Sequence, residues 1–107
     1  PSLSRALPYT IGMFGFDPPR SEKNEQERGF GFLYAARVFI GPTIERVDSR
    51  LDYGEERIIA LGRIDGMVFA VVYTWRRSDD EEPYRWIISA RLPNRKERRK
   101  YEASFPG

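Results

Sequence analysis

The stretch RWIISARLPNRKERRKYE, Arg85 to Glu102, holds seven Arg or Lys residues against two acids, Glu97 and Glu102. Its first half alternates as a strand does, so Arg85, Ile87, Ser89 and Arg91 are expected on one face, and Trp86, Ile88 and Ala90 on the other. Upstream, Glu55, Arg57, Ile59 and Leu61 share a face by the same rule, with Glu56, Ile58 and Ala60 opposite. Guanidinium is planar, permanently charged and able to grip phosphate with two donors. If Arg57 falls on the face of Arg91, two guanidiniums beside the Ser89 hydroxyl form a phosphate clamp. The competing reading pairs each Arg with Glu55 or Glu56 across the sheet.

The second half of the stretch adds Arg95, Lys96, Arg98, Arg99 and Lys100. From Arg85 to Lys100 there are seven basic residues and one acid. That is the footprint of a nucleic-acid surface, whose affinity falls steeply with salt. The same charges also suit a solvated helix. The loop Asp79–Glu82 cancels part of this field, which is why the net charge is only +2; equally, it serves as a solubilising hairpin tip. Tyr101 can stack on a base, donate a proton or pack its ring on the sheet. Glu56 and Glu97 are the candidate general bases, although Glu97 also stands where a helix cap needs a carboxylate.

The chain has no His and no Cys. Disulfides, thiolate nucleophiles, Ser–His triads, the usual zinc sites and the two-histidine ribonuclease mechanism are therefore excluded. Any catalysis rests on Arg, Lys, Tyr, Ser and carboxylates, and neither a metal nor a cofactor is expected. No apolar run approaches the ~20 residues that span a bilayer, and no signal peptide is evident. Absence of Cys fits a cytoplasmic location. A length of 107 residues suits one domain, residues 1–107, with one modest core. The chain opens on Pro1 without Met, so residues 1–10 read as a disordered or appended extension.

The elements that must hold these residues follow from local signals. Tyr9–Phe16 is expected to be a short strand, weakened by two glycines. Asp17 is placed to cap a polar helix with Pro18 at its first position, running to Arg28 and closed by Gly29. With almost no apolar face, that helix would meet solvent or a partner. Phe32, Ala35, Ala36 and Phe39 recur at helical spacing, predicting a second helix over Phe32–Ile40 that Gly41-Pro42 stops. Thr43–Val47 reads as a strand and Asp48–Gly54 as a polar loop. Glu56–Arg63 and Met67–Trp75 flank Asp65-Gly66, a strong two-residue hairpin signal. That turn sets Ile59 opposite Val72 and Arg57 opposite Thr74. Arg76–Pro83 is an exposed loop and Tyr84–Arg91 the next strand. Asn94 with Glu97 three residues on resembles a capping box for a helix over Arg95 to about Ala103. The fold class is α+β: a mainly antiparallel sheet with two helices in the N-terminal half and a C-terminal helix packed on it.

In order along the chain, FDPPRSEKN (Phe16–Asn24), GFGFLYAARVF (Gly29–Phe39), GEERIIALGR (Gly54–Arg63), VVYT (Val71–Thr74), IISAR (Ile87–Arg91) and ERRKYE (Glu97–Glu102) resemble the BrnT toxins of type II toxin–antitoxin systems. The succession GEER, IISAR, ERRxYE is far more specific than any one piece. The resemblance implies a RelE-like fold, RNA cleavage and inhibition of translation, and with no metal expected the reading is a metal-independent endoribonuclease. It implies neutralisation by a BrnA-like antitoxin, which supplies contact to promoter DNA, and RNA as substrate, free or on the ribosome. It assigns Arg57, Arg63, Ser89 and Arg91 to the active surface, with Tyr101 a further candidate.

Four positions depart from the family pattern. Glu27-Arg28 stand where the family carries Lys-His, Arg20 stands for a Lys, and Trp86 stands where an Arg often precedes IISAR. The combined expectation gives Arg57, Ser89, Arg91, Tyr101 and Glu56 catalytic roles. It gives Arg28, Arg63, Arg85, Arg95, Lys96, Arg98 and Arg99 to RNA binding. The rival is a catalytically impaired relative that binds RNA or antitoxin only.

Overall fold

The computed structural model describes residues 12–49 and 54–107. Strand β1 (Phe14–Phe16) leads into helix α1 (Pro18–Arg28), then helix α2 (Phe32–Ala35), which tightens into a 3₁₀ turn over Ala36–Ile40. Strands β2 (Ile44–Val47), β3 (Ile58–Ile64), β4 (Met67–Arg77) and β5 (Pro83–Arg91) follow, and helix α3 (Arg95–Ser104) closes the chain. The sheet order is β1-β5-β4-β3-β2, antiparallel except for the parallel pair β1–β5. The expected α+β architecture is therefore present. The first strand is shorter than expected, and residues 9–11 of that expectation lie outside the described residues, as do residues 50–53 of the polar loop.

The hairpin forms as its turn dictates. Asp65 and Gly66 both take positive φ, 49° and 86°, as a two-residue turn between twisted strands requires. Ile64 then meets Met67, and Ile59 meets Val72. The ladder ends at Ile58–Tyr73, so Arg57 does not pair with Thr74. Instead the Thr74 hydroxyl donates to the Glu56 carbonyl at 2.7 Å.

β4 is the central strand and is buried from Val68 to Thr74 because both its faces are covered. Phe69, Val71 and Tyr73 pack with Phe32, Ala35, Val38 and Phe39 of the α2 segment. Val68, Ala70 and Val72 pack with Ile59, Leu61 and Tyr101, under α3. The α2 segment approaches the sheet so closely that a Cβ on Gly62 would stand 2.6 Å from the Val38 Cβ. The 3₁₀ tightening, in place of the continuous helix expected to Ile40, occurs in this segment.

α1 docks by polar hooks, since it has no apolar stripe. β1 stops pairing at Phe16–Ile87, leaving the outer edge of β5 open beyond it. Arg28 closes part of that edge, donating to the Ala90 carbonyl at 3.0 Å and to Asn24 Oδ1 at 3.2 Å. Asn24, buried, donates to the Phe30 carbonyl, and the Phe32 N–H donates to Ser21 Oγ. Gly29, at φ 93°, ends the helix as expected. Asp17 occupies the N-cap position, but its side chain makes no cap hydrogen bond.

Candidate functional site

Strand β5 does not alternate along its whole length. Opposite β4, Val72 meets Ser89 while Tyr73 meets Ile87, so Ile88 is an extra residue in a bulge. The bulge divides the expected face. Ser89 and Arg91 lie with Val72 and Ala70 on the α3 side, and Trp86, opposite Thr74, joins them there. Arg85, opposite Trp75, points to the other side. Its guanidinium sits 4.1 Å from the Phe39 ring centre, 4.9 Å from Trp75 and 5.3 Å from Tyr73. The assignment of Arg85 to the face of Arg91 is thus corrected: one inserted residue reverses the parity. The neighbouring Tyr73 hydroxyl donates to Glu45. Burial first, then the Glu45 carboxylate, pushes its pKa up to about 12.

Arg57 and Arg91 do share the α3 face, but they do not converge. Arg91 is level with Ala70, and Arg57 lies just beyond the Ile58–Tyr73 pair. About four residues of strand, ~13 Å at ~3.3 Å per residue, separate the two levels. Arg91 instead meets Arg46, which faces Ile59 from β2. Arg91 grips Glu97 with both terminal nitrogens, at 2.8 and 3.0 Å, and Arg46 reaches the same carboxylate at 2.9 Å. Glu97 also completes the capping box: its carboxylate accepts from the Asn94 N–H, and the Asn94 side chain accepts from its own N–H. The Arg91 hydrogen bonds are the main cause that lowers the Glu97 pKa from 4.5 to about 2, against the opposing effect of burial. A carboxylate held this way is a structural anion and a poor base.

The sequence candidates on α3 and at its end divide cleanly. Tyr101 is 1% exposed, its hydroxyl donates to the Pro42 carbonyl at 2.8 Å, and burial raises its pKa. Arg63 lies over the Tyr101 ring at 5.2 Å and donates to the Phe105 carbonyl, fastening the end of the helix. Arg95, Lys96, Arg98, Arg99 and Lys100 are all exposed. Lys96 and Lys100, one turn apart, line a cleft of about 350 Å³ with Arg46 and Glu97.

A second basic region runs between α1 and β5. One hollow is lined by Arg20, Lys23, Asn24, Glu27, Arg28, Ile88 and Ser89. The next is lined by Asp17, Arg20, Glu55, Arg57, Arg76, Trp86 and Ile88. Arg20 and Ile88 line both, so the two hollows adjoin along one grooved face. It gathers Arg28, Arg57 and Ser89 but not Arg91. Glu55 and Glu56 are both exposed; Glu55 stands 3.6 Å from Arg57 Nε and 4.0 Å from Arg76, whereas Glu56 is engaged through its backbone carbonyl. Trp86 lies under the Arg76 guanidinium at 4.4 Å. Gly15 makes room for its ring, since a Cβ there would approach it to 3.3 Å.

A family model described as the ribonuclease toxin BrnT of type II toxin–antitoxin systems matches residues 16–97. The chain belongs to the BrnT family. No curated protein matched the chain. The BrnT match covers α1, the whole sheet from β2 to β5 and the start of α3, hence every residue of the groove. A BrnT toxin has RNA as its target and an antitoxin as its partner. Among the described residues there is no cluster of three or more His, Cys, Asp or Glu that could hold a metal ion, and no helix is long and apolar enough to cross a membrane.

Arg46 and Arg76 have no site role in the sequence reading; Arg20 enters it only as a departure from the family pattern, and Glu55 as an ion-pair partner, which its 3.6 Å approach to Arg57 bears out. Arg46 shares strand parity with Ile44, but its register against β3 depends on a loop with no turn signal. Trp86 was assigned to the wrong face for the same reason as Arg85, the bulge at Ile88.

Proposed function

We propose that this BrnT-family protein is a metal-independent endoribonuclease whose reaction takes place in the groove between α1 and β5. The carrying observation is that Arg20, Arg57, Arg76, Ser89 and Trp86 line two adjoining hollows that share Arg20 and Ile88. A base stacks on the Trp86 ring by displacing the Arg76 guanidinium that covers it at 4.4 Å. Arg57 and Arg20 grip the non-bridging oxygens of the phosphate and stabilise the charge that grows there in the transition state. Ser89 orients a phosphate oxygen. The 2′-hydroxyl attacks the adjacent phosphorus while Glu55, beside Arg57, accepts its proton. The bond to the 5′-oxygen breaks, and water in the open groove protonates that oxygen. The products are a 2′,3′-cyclic phosphate and a 5′-hydroxyl. The chain has no His, and of its remaining bases Glu55 is the one that stands beside Arg57. Arg95, Arg98 and Arg99 hold flanking backbone. Cleavage of message inhibits translation in the cytoplasm. A BrnA-like antitoxin neutralises the protein and carries the complex to promoter DNA.

One observation favours the reading as an impaired relative. Arg28, at the position where the family carries His, is tied to the Ala90 carbonyl and Asn24. It fastens α1 to β5, a role other than proton transfer. The test is incubation of the purified protein with a structured RNA, with and without EDTA, beside Arg57→Ala and Arg91→Ala. Cleavage that survives EDTA and is lost in Arg57→Ala supports the groove mechanism. Intact RNA throughout, with cleavage restored by Glu27→Lys together with Arg28→His, supports the impaired relative. A rate abolished by EDTA ends the metal-free mechanism.

A further inference from the structure

The cleft beneath α3 differs in chemistry from the groove. Ile44 and the buried Ile59 and Leu61 make an aliphatic floor, Asn94 and the Glu97 carboxylate, already paired with Arg46 and Arg91, line it beside α3, and Arg46, Lys96 and Lys100 supply its cations. No aromatic ring lines it, so it lacks the stacking platform on which single-stranded RNA is usually read. Its neighbouring guanidiniums, Arg46 and Arg91, are already bonded to the Glu97 carboxylate. The forked donors that favour phosphate are therefore engaged, and the outward cations are the ammoniums of Lys96 and Lys100, which act as point charges. These two lie at i and i+4, along one side of the helix. At about 350 Å³ the cleft is within the ~300–1,000 Å³ range of ligand pockets, and it is preformed because Glu97 pins α3 to both β2 and β5.

An aliphatic floor under a lysine rim fits an amphipathic helix whose apolar side chains enter the floor and whose flanking carboxylates meet the lysines. We propose that this cleft is the docking site for an acidic amphipathic segment of a protein partner. Resting on the toxin reading above, that segment belongs to the antitoxin. Seated there, it runs along α3 and neutralises cations next to those that hold RNA, so RNA binding and partner binding oppose one another without sharing a pocket.

The test is methyl and amide NMR of the full chain with three probes. They are a short helical peptide with leucines on one face flanked by glutamates, the same peptide with lysines for glutamates, and a 2′-O-methyl single-stranded RNA that cannot be cut. The glutamate peptide is expected to move the methyl signals of Ile44, Ile59 and Leu61. The lysine peptide is expected to move none of them, and the RNA to move the Trp86 indole N–H instead. Reversing the two exposed rim charges, Lys96→Glu with Lys100→Glu, is expected to weaken the glutamate peptide by about tenfold or more. Ile44→Lys, on the other wall, should do the same, which guards against a folding defect in α3. Cleft methyls that ignore the glutamate peptide, or that respond to the RNA, overturn the proposal. The readout needs no cleavage. A chain that cuts nothing but docks the peptide overturns the enzymatic reading alone; one that cuts RNA but ignores the peptide overturns the docking proposal alone.

Discussion

Replacing Glu97 with Gln removes one charge where β2, β5 and α3 meet. The wild-type carboxylate accepts from Arg46, from both terminal nitrogens of Arg91 and from the Asn94 N–H. Hydrogen bonding to Arg91 is the main cause holding its pKa at about 2, against 4.5 for an ordinary glutamate. At ~1.36 kcal/mol per pKa unit, the ionised form contributes about 3 kcal/mol to folding at pH 7. The folded value lies below the unfolded one, so this contribution is complete above 4.5 and is lost as pH falls from 4.5 towards 2. The Arg91 and Arg46 side chains are 28% and 49% exposed, so water can reach them in the variant. The expected cost at pH 7 is therefore ~2–3 kcal/mol, below the ~3–5 kcal/mol of breaking a fully buried pair. That is a large share of the ~5–15 kcal/mol that holds a domain together. Urea denaturation of both proteins, at pH 7 and at steps below 4.5, measures the gap. The two stabilities should converge as pH approaches 2, because protonation does to wild type what the substitution does. A gap that stays constant with pH would refute the charge as its origin and leave only shape or capping geometry.

Arg57→Ala should slow RNA cleavage by about a hundred- to a thousandfold with little change in the urea midpoint; an unchanged rate removes Arg57 from the chemistry. Tyr101→Phe loses the hydrogen bond to Pro42 and about 1 kcal/mol of stability, with the cleavage rate retained; a lost rate would return its hydroxyl to the reaction. Gly62→Ala should cost ~1–3 kcal/mol by calorimetry, because the new Cβ would stand 2.6 Å from the Val38 Cβ and 3.0 Å from its carbonyl oxygen. Trp86→Leu should weaken single-stranded RNA by ~1–3 kcal/mol in a fluorescence titration, and undiminished affinity would remove the ring from the RNA path.

Most signals contained within a few adjacent residues were legible in the sequence, although Asp17 stands at its N-cap without a side-chain hydrogen bond and the helix from Phe32 tightens after Ala35. Asp65-Gly66 specified the turn and with it the β3–β4 register, because both residues accept positive φ. Asn94 and Glu97 specified the start of α3, because their two hydrogen bonds close within one helical turn. Gly29 specified the end of α1. The basic run and the absence of His and Cys set the class of chemistry that any site could perform.

What the tertiary structure decided are relations between residues far apart in the chain. The bulge at Ile88 arises in the pairing of β5 with β4, and it sends Arg85 to an aromatic cage while leaving Ser89 and Arg91 with Trp86. The partner of Arg91 is Glu97, six residues on, and the shared partner Arg46 comes from the far edge of the sheet. Arg57 finds Arg20, Glu55 and Arg76 because α1 lies along β5, held by Arg28 on a carbonyl sixty-two residues away. Alternation fixes a face only while a strand remains regular, and charge alone does not choose its partner. Both depend on how the strands register against one another, which no short segment encodes.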